Sequence, residues 1–401
     1  MKVLFLSTSQ GGRGGGEHYL RLLIEELVQA PGVVAEVAMS QDPCMDWLAE
    51  SLSKSGIGTH RLRIRNLLAY KTRAIGCCLD PRNSRRIARL IRRTQPDIVH
   101  VNQQNSEDGL DLVRTAARIL PGRVVGTIHN AQLLRSIVTH GRVVREWWAG
   151  WFHRRYNYDR IFVSWAQLRS FEQAVPGFAG RNHVVLNGVP RPSDATGVLS
   201  RRAARKQLGL LHDQPVIGFA GRFTRQKNVE AAVSAFAATC ERHPGTMLVL
   251  AGDGEDSHAI RRQIAHLGIE RRVLLPGYLR GYDLEAFYRA IDVLLLPSRW
   301  EAFGFVLAEA MLRGVPVIAT AVDGIVEALD CGRAGFLVPP GNVNALSAAI
   351  SSMLASPDLR AHYSRRGIQF ATMQLTARRM AQETAGVYAQ VCTHESAGHP
   401  Q

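Results

Sequence analysis

The sequence contains no uninterrupted apolar run of some 18 residues, the length a helix needs to cross a bilayer, so no transmembrane helix is expected. The N-terminus, MKVLFLSTSQGG, carries one basic residue and a short apolar stretch, too little for a secretory leader, and reads instead as a first strand. Cysteine is sparse. The six (Cys44, Cys77, Cys78, Cys240, Cys331, Cys392) are scattered without metal-ligand spacing, and adjacent Cys77 and Cys78 are a poor start for an ordinary disulfide. Reduced thiols in a cytoplasmic protein are the expectation. No register of residues 11–16 supplies G-x-G-x-x-G, which disfavours a nicotinamide enzyme. No D-x-D carboxylate pair occurs, and no recognised nucleic-acid module is present.

Negative charge is also short. Against 49 Lys and Arg stand 34 Asp and Glu, a net +15. Residues 1–187 hold 26 of the cations and 15 of the anions, so +11 of the excess lies in the first half. That half is expected to be drawn to an anionic surface or substrate. The 401 residues suffice for two domains of ordinary size.

The most organised stretch is Asp292 to Thr320, DVLLLPSRWEAFGFVLAEAMLRGVPVIAT. A buried-strand run, Val293 to Leu296, stops at Pro297 and Ser298. A polar turn containing Glu301 follows, and a helix-period segment begins after Gly304 with Phe305, Leu307, Ala308 and Met311 on or near its inner face. Gly314 ends the helix, and Val315 to Ala319 reads as the next strand. Glu301 alone is unremarkable, since acids near helix starts favour the macrodipole. Glu309 is costly among apolar neighbours unless paired or facing a ligand. Two carboxylates flanking a helix N-terminus suit a ligand that carries both hydroxyls and an anion.

The rest of the chain alternates strand and helix. Lys2 to Thr8 feeds the glycine turn Gly11 to Gly16 and a helix over Glu17 to Gln29. Such a turn lets backbone approach a phosphate closely. Arg82 to Arg93 is a basic amphipathic helix, with Ile87, Leu90 and Ile91 on one side. Its plain reading is a solvated face; its functional reading is contact with anionic lipid. His129 follows the strand Arg123 to Ile128, at an end where open parallel sheets gather ligands. Trp147, Trp148, Trp151, Phe152, Tyr156 and Tyr158 crowd among arginines, which fits core packing and interfacial binding equally. The stretch Arg191 to Leu210 reads as a linker into a short helix, and residues beyond Thr393 as a disordered tail.

The pattern S-x-x-E-x-F-G-x4-E-A-M-x2-G-x-P-V-I-A, carried by Ser298, Glu301, Phe303, Gly304, Glu309, Ala310, Met311, Gly314, Pro316, Val317, Ile318 and Ala319, resembles the E-x7-E signature of the retaining glycosyltransferases of family 4. Gly221, Arg222, Lys227 and Asn228 match that family's G-R-x4-K-N, and Asn187-Gly188-Val189 its N-G-V crossing. Asp323 departs from G-G-x-x-E by replacing the first glycine. The resemblance covers essentially the whole chain, most specifically residues 216–342. It implies an α/β GT-B fold, two Rossmann-like domains facing across a cleft, with an acceptor domain over residues 1–187 and a nucleotide-sugar domain over 188–374. A terminal helix, about 375–392, would cross back to the first domain.

The same resemblance implies retaining transfer of a hexose-type sugar from a UDP- or GDP-linked donor to a glycan or lipid-linked acceptor, with no cofactor and no metal. Glu309 would accept from the ribose hydroxyls, and Glu301, with backbone amides after Phe303, would hold sugar hydroxyls. Arg222 and Lys227 would stabilise the leaving diphosphate. Gly15, Gly16, Gly221, Gly252, Tyr278, Leu279, Phe303, Gly304 and Phe305 would border the donor, and His129 would lie near the anomeric carbon. A nucleotide-sugar epimerase of the same fold, or a non-catalytic binding protein, are the alternative classes.

Overall fold

The computed structural model describes residues 1–9, 14–65, 74–131, 142–192 and 199–393. The chain divides into two compact units, Met1–Gly188 with Ala377–Gln401, and Val189–Thr376. Residues 11–13 of the glycine turn, part of the linker after Pro192 and the tail beyond Thr393 lie outside the described residues.

In the first unit seven strands form one parallel sheet: β1 (Lys2–Ser7), β2 (Val34–Ser40), β3 (Gly58–Leu62), β4 (Ile98–Asn105), β5 (Val124–Asn130), β6 (Asp159–Phe162) and β7 (Asn182–Val184). Their order is β3-β2-β1-β4-β5-β6-β7. Helices on both faces bury the apolar runs, so Leu4, Leu6, Val99 and Val101 are almost wholly enclosed. The chain first builds outward from β1 and then returns to lay β4 on its other side. That reversal places the carboxyl ends of β1 and β4 at a topological switch point, where open α/β sheets bind ligands.

The helix after β1 spans Gly15–Leu27, two residues earlier than the sequence pattern predicts. The carboxylate of Glu17 accepts from the Gly14 N–H at 3.0 Å, satisfying a donor at the start of the helix. The basic helix spans Pro81–Thr94, with Asp80 capping its start and Ile87, Leu90 and Ile91 buried. Gln95 closes it in the left-handed conformation, φ 47°. The terminal helix, Ala377–Thr393, packs on the helix Gly15–Leu27. Its Tyr388 hydroxyl lies 2.5 Å from His100 Nδ1 within the core.

The second unit repeats the design with six parallel strands: β8 (Val216–Ala220), β9 (Met247–Ala251), β10 (Val273–Gly277), β11 (Val293–Leu296), β12 (Val317–Thr320) and β13 (Phe336–Val338). The order β10-β9-β8-β11-β12-β13 sets its switch point between β8 and β11. The loops carrying Lys227 and Glu301 leave those two strands. β12 begins at Val317 because Val315 and Pro316 complete the turn after Gly314, and a proline has no N–H for the ladder.

Candidate functional site

The loop after β8 and the loop after β11 are laced together by one backbone bond and two side-chain amides that donate to backbone. Gln226 O accepts from Arg299 N at 2.8 Å, Gln226 Nε2 donates to Trp300 O at 3.1 Å, and Asn228 Nδ2 donates to Pro297 O at 3.2 Å. Asn228 adopts φ 53° to begin the helix Val229–Ala237. This lacing aims the ammonium of Lys227 at the carboxylate of Glu301, with which it forms an ion pair. The two side chains are only 17% and 11% exposed, so water screens the pair weakly. Arg222 stands exposed just beyond β8 and takes no part in that pair.

Glu301 is held by its backbone as well. Its N–H donates to Asp323 Oδ2 at 3.1 Å, and its carbonyl accepts from Gly324 N at 3.1 Å. Asp323 reaches this position with φ 41°, the left-handed conformation that glycine adopts without cost. The departure from G-G-x-x-E is therefore not a bland replacement. The carboxylate supplies an acceptor that a glycine lacks.

Glu309 lies on the helix Phe305–Leu312, whose Leu307, Ala308, Ala310 and Met311 are buried. Phe305 is only partly buried, so the inner face is shifted from the expected one. The Tyr288 hydroxyl, buried on the neighbouring helix Gly281–Ala290, donates to Glu309 Oε2 at 2.6 Å. Burial, and after it the adjacent negative charge of Glu309, raises the Tyr288 pKa well above 10, so the phenol keeps its proton and donates. Arg313 lies over the Tyr288 ring at 5.0 Å and is paired with Glu285 at 2.6 Å, fixing the phenol from behind.

The remaining predicted positions border the same strand ends. At Gly252 a Cβ would stand 1.9 Å from the Gly221 carbonyl oxygen, so only glycine lets the β9 loop run this close to the β8 loop. Tyr278 is exposed and Leu279 half-buried beyond β10, with Arg280 over the Tyr278 ring at 4.9 Å. Phe303 is buried, its ring 5.7 Å from Phe305, so it shapes the turn from beneath and presents only backbone. Gly304, φ 86°, starts the helix.

In the first unit, β5 runs to Asn130, so His129 is its next-to-last residue and not the residue beyond it. It is 8% exposed, and burial lowers its pKa to about 4. Its ring meets Tyr19 edge-on at 4.7 Å, and its Nε2 lies 2.7 Å from Asn102 Oδ1. Gly16 is buried at the start of the first helix, where a Cβ would stand 2.4 Å from Gln104 Nε2; Gly15 opens that helix. Among the described residues, no group of three or more His, Cys, Asp or Glu has the arrangement of a metal site, and no helix is long and apolar enough to cross a membrane.

Residues 200–370 match the family model described as Glycosyl transferases group 1, and residues 13–191 match that described as Glycosyltransferase Family 4. The chain belongs to the group 1 and family 4 glycosyltransferases. An uncharacterized glycosyltransferase of Methanocaldococcus jannaschii is 30% identical over 46% of this chain and 47% of its own length. Alpha-D-kanosaminyltransferase of Streptomyces kanamyceticus is 26% identical over 48% of this chain and 50% of its own. The chain thus spans about half the length of the curated relatives it matches. HepE of Anabaena, solved with UDP and glucose, superposes with a TM-score of 0.76 at 23% identity, over 97% of this chain and 100% of that one. The two parallel sheets are those of the GT-B fold.

Reading the sequence position by position misses Tyr288, Asn102 and the Lys227–Glu301 pair. Tyr288 lies in an amphipathic helix, where an aromatic residue reads as core. Asn102 is the more visible, because V-N-Q-Q-N puts consecutive amides at the end of a buried strand.

Proposed function

We propose that this chain is a retaining glycosyltransferase that moves a hexose-type sugar from a UDP- or GDP-linked donor to a glycan or lipid-linked acceptor, in cell-envelope or exopolysaccharide biosynthesis. The observation that carries this reading is the Lys227–Glu301 ion pair at the β8/β11 switch point, with Glu309 on the helix that follows the second loop. Support for a UDP donor comes from HepE, whose structures hold UDP and UDP-glucose.

In this reading Glu309, steadied by Tyr288, accepts from the ribose hydroxyls. Lys227 and Arg222 meet the diphosphate, where cations stabilise charge growing on the leaving group without a metal. Glu301 then exchanges Lys227 for sugar hydroxyls, remaining an acceptor throughout. Tyr278 and Leu279 border the base, Gly15 and Gly16 border the donor, and His129, near the anomeric carbon, helps place the acceptor. Retention by front-face attack needs no protein nucleophile.

The basic helix Pro81–Thr94 supports peripheral attachment at the inner face of the cytoplasmic membrane. It holds no acidic residue, and Arg82, Arg85, Arg89 and Arg92 form an exposed stripe. Exposed Val144, Trp147 and Trp151 on the helix Arg142–Arg155 are spaced for one face and suit the interfacial layer.

The deciding experiment is a panel of nucleotide sugars assayed by nucleotide release in EDTA, with a lipid-linked acceptor pool analysed by mass spectrometry. Glycosylated product is expected. Epimerised or hydrolysed donor with no acceptor dependence would replace this reading with the epimerase one.

A further inference from the structure

Side chains on a strand alternate between its faces, so His100, Asn102 and Gln104 of β4 share one face, as do Thr127 and His129 of β5. Asn102 stands beside Thr127 in the register, which puts its amide within reach of His129 two residues further on. Asn102 is 1% exposed and makes two hydrogen bonds of opposite polarity. Its Nδ2 donates to the Gly16 carbonyl oxygen at 3.3 Å, and its Oδ1 lies 2.7 Å from His129 Nε2. A backbone carbonyl only accepts, so the amide nitrogen must face Gly16. The amide oxygen therefore faces His129, and because it too only accepts, Nε2 must carry the proton.

We infer that Asn102 is a positioning residue that fixes His129 with its proton on Nε2, leaving Nδ1 as a hydrogen-bond acceptor. That polarity suits a sugar hydroxyl, which can donate, and does not suit a phosphate oxygen, which cannot. The inference rests on the reading of His129 as a residue of the acceptor side and sharpens it into a ligand class for one ring atom. Among the described residues Nδ1 has no hydrogen-bond partner. The titratable groups around the ring are Tyr19 on the first helix, which burial holds protonated, and His100 on β4, which burial holds neutral. Neither supplies a negative charge that would draw a second proton onto the ring. Gly16 completes the chain of contacts, so one amide ties the glycine turn to the histidine.

The test is a long-range proton–nitrogen correlation spectrum of imidazole nitrogens in the full chain, recorded at neutral pH without donor or acceptor. A His129→Gln sample assigns the signals. The expected pattern is one neutral tautomer with Nε2 protonated and the Nε2 proton slow to exchange. In Asn102→Ala that proton should lose its protection and move upfield. Asn102→Asp keeps an acceptor in place, so it should restore the protected signal and raise the ring's pKa by about one unit or more. A wild-type ring protonated on Nδ1, or charged, overturns the inference. So does an Nε2 signal unchanged in Asn102→Ala. If that variant does not fold, the wild-type tautomer alone decides. Because no substrate is present, this outcome is separate from whether the chain transfers sugar.

Discussion

The ammonium of Lys227 is bonded to the carboxylate of Glu301, across two loops that leave neighbouring strands at the switch point of the second sheet. Each is the other's main source of charge compensation in a poorly hydrated place. Removing one partner strands the other, a loss of roughly 3 kcal/mol or more. Lys227→Met and Glu301→Leu are each expected to lower the melting temperature by about 6–12 °C, and the double variant should recover much of it. Additive losses in thermal unfolding would show that the two groups do not depend on one another.

Donor affinity should depend on Tyr288 through Glu309. A hydrogen bond to a charged group contributes about 1.5–3 kcal/mol, so Glu309→Ala is expected to weaken UDP-glucose binding by roughly tenfold to a hundredfold. Tyr288→Phe removes only the group that orients the carboxylate. A smaller loss, about threefold to tenfold, is expected in calorimetric titration. Full affinity in Tyr288→Phe would leave the phenol a purely structural role.

Asp323 offers a test of strain against hydrogen bonding. Its left-handed φ of 41° costs a non-glycine residue on the order of 1 kcal/mol, while its carboxylate satisfies the Glu301 N–H. Asp323→Asn keeps an acceptor and tolerates that conformation, so stability to urea should change by less than about 1 kcal/mol. Asp323→Ala keeps the strain and loses the acceptor, and should cost about 1–3 kcal/mol. Equal stability of the two variants would remove the bond from the account.

Acid should unfold the first unit partly through His129. Burial lowers its pKa from 6.5 to about 4, so between those values the unfolded chain binds a proton that the folded chain refuses. Its contribution is fully present above pH 6.5 and is lost as pH falls toward 4. His100 and His153 act in the same sense, each lowered to about 3, whereas Asp108, raised to about 6, acts in the opposite one. His129→Gln should therefore lower the slope of stability against pH, near pH 5, by about 1.4 kcal/mol per unit relative to the parent chain. Urea titrations at pH 7, 6 and 5 measure it; parallel slopes would contradict a buried neutral ring.

Membrane attachment, if the arginine stripe causes it, is electrostatic. Each cation near an anionic surface contributes about 1 kcal/mol, so reversing Arg85, Arg89 and Arg92 to Glu should abolish flotation with phosphatidylglycerol vesicles. Wild-type flotation should fade on raising salt from 0.05 to about 0.5 M. Binding to neutral vesicles that survives both changes would point to the exposed tryptophans alone.

Much of this protein was legible before folding. Continuous apolar runs and period-3.6 patterns place most strands and helices, because burial in a core is a local demand on sequence. Glu309 stands out as a charge among apolar neighbours, whereas Arg222, Lys227 and Glu301 stand out through the motifs they share with the family. The same resemblance points to Gly252, where the structure shows backbone too close for a side chain. Tertiary structure alone decided which charges pair. Lys227 and Glu301 are 74 residues apart, and only the β8/β11 reversal makes them neighbours. It also decided that Asp323 answers the Glu301 amide, that Tyr288 holds Glu309, and that Asn102 fixes the proton on His129. Each of these is a hydrogen bond between elements. Its geometry depends on strand order and register, which no single stretch of sequence contains.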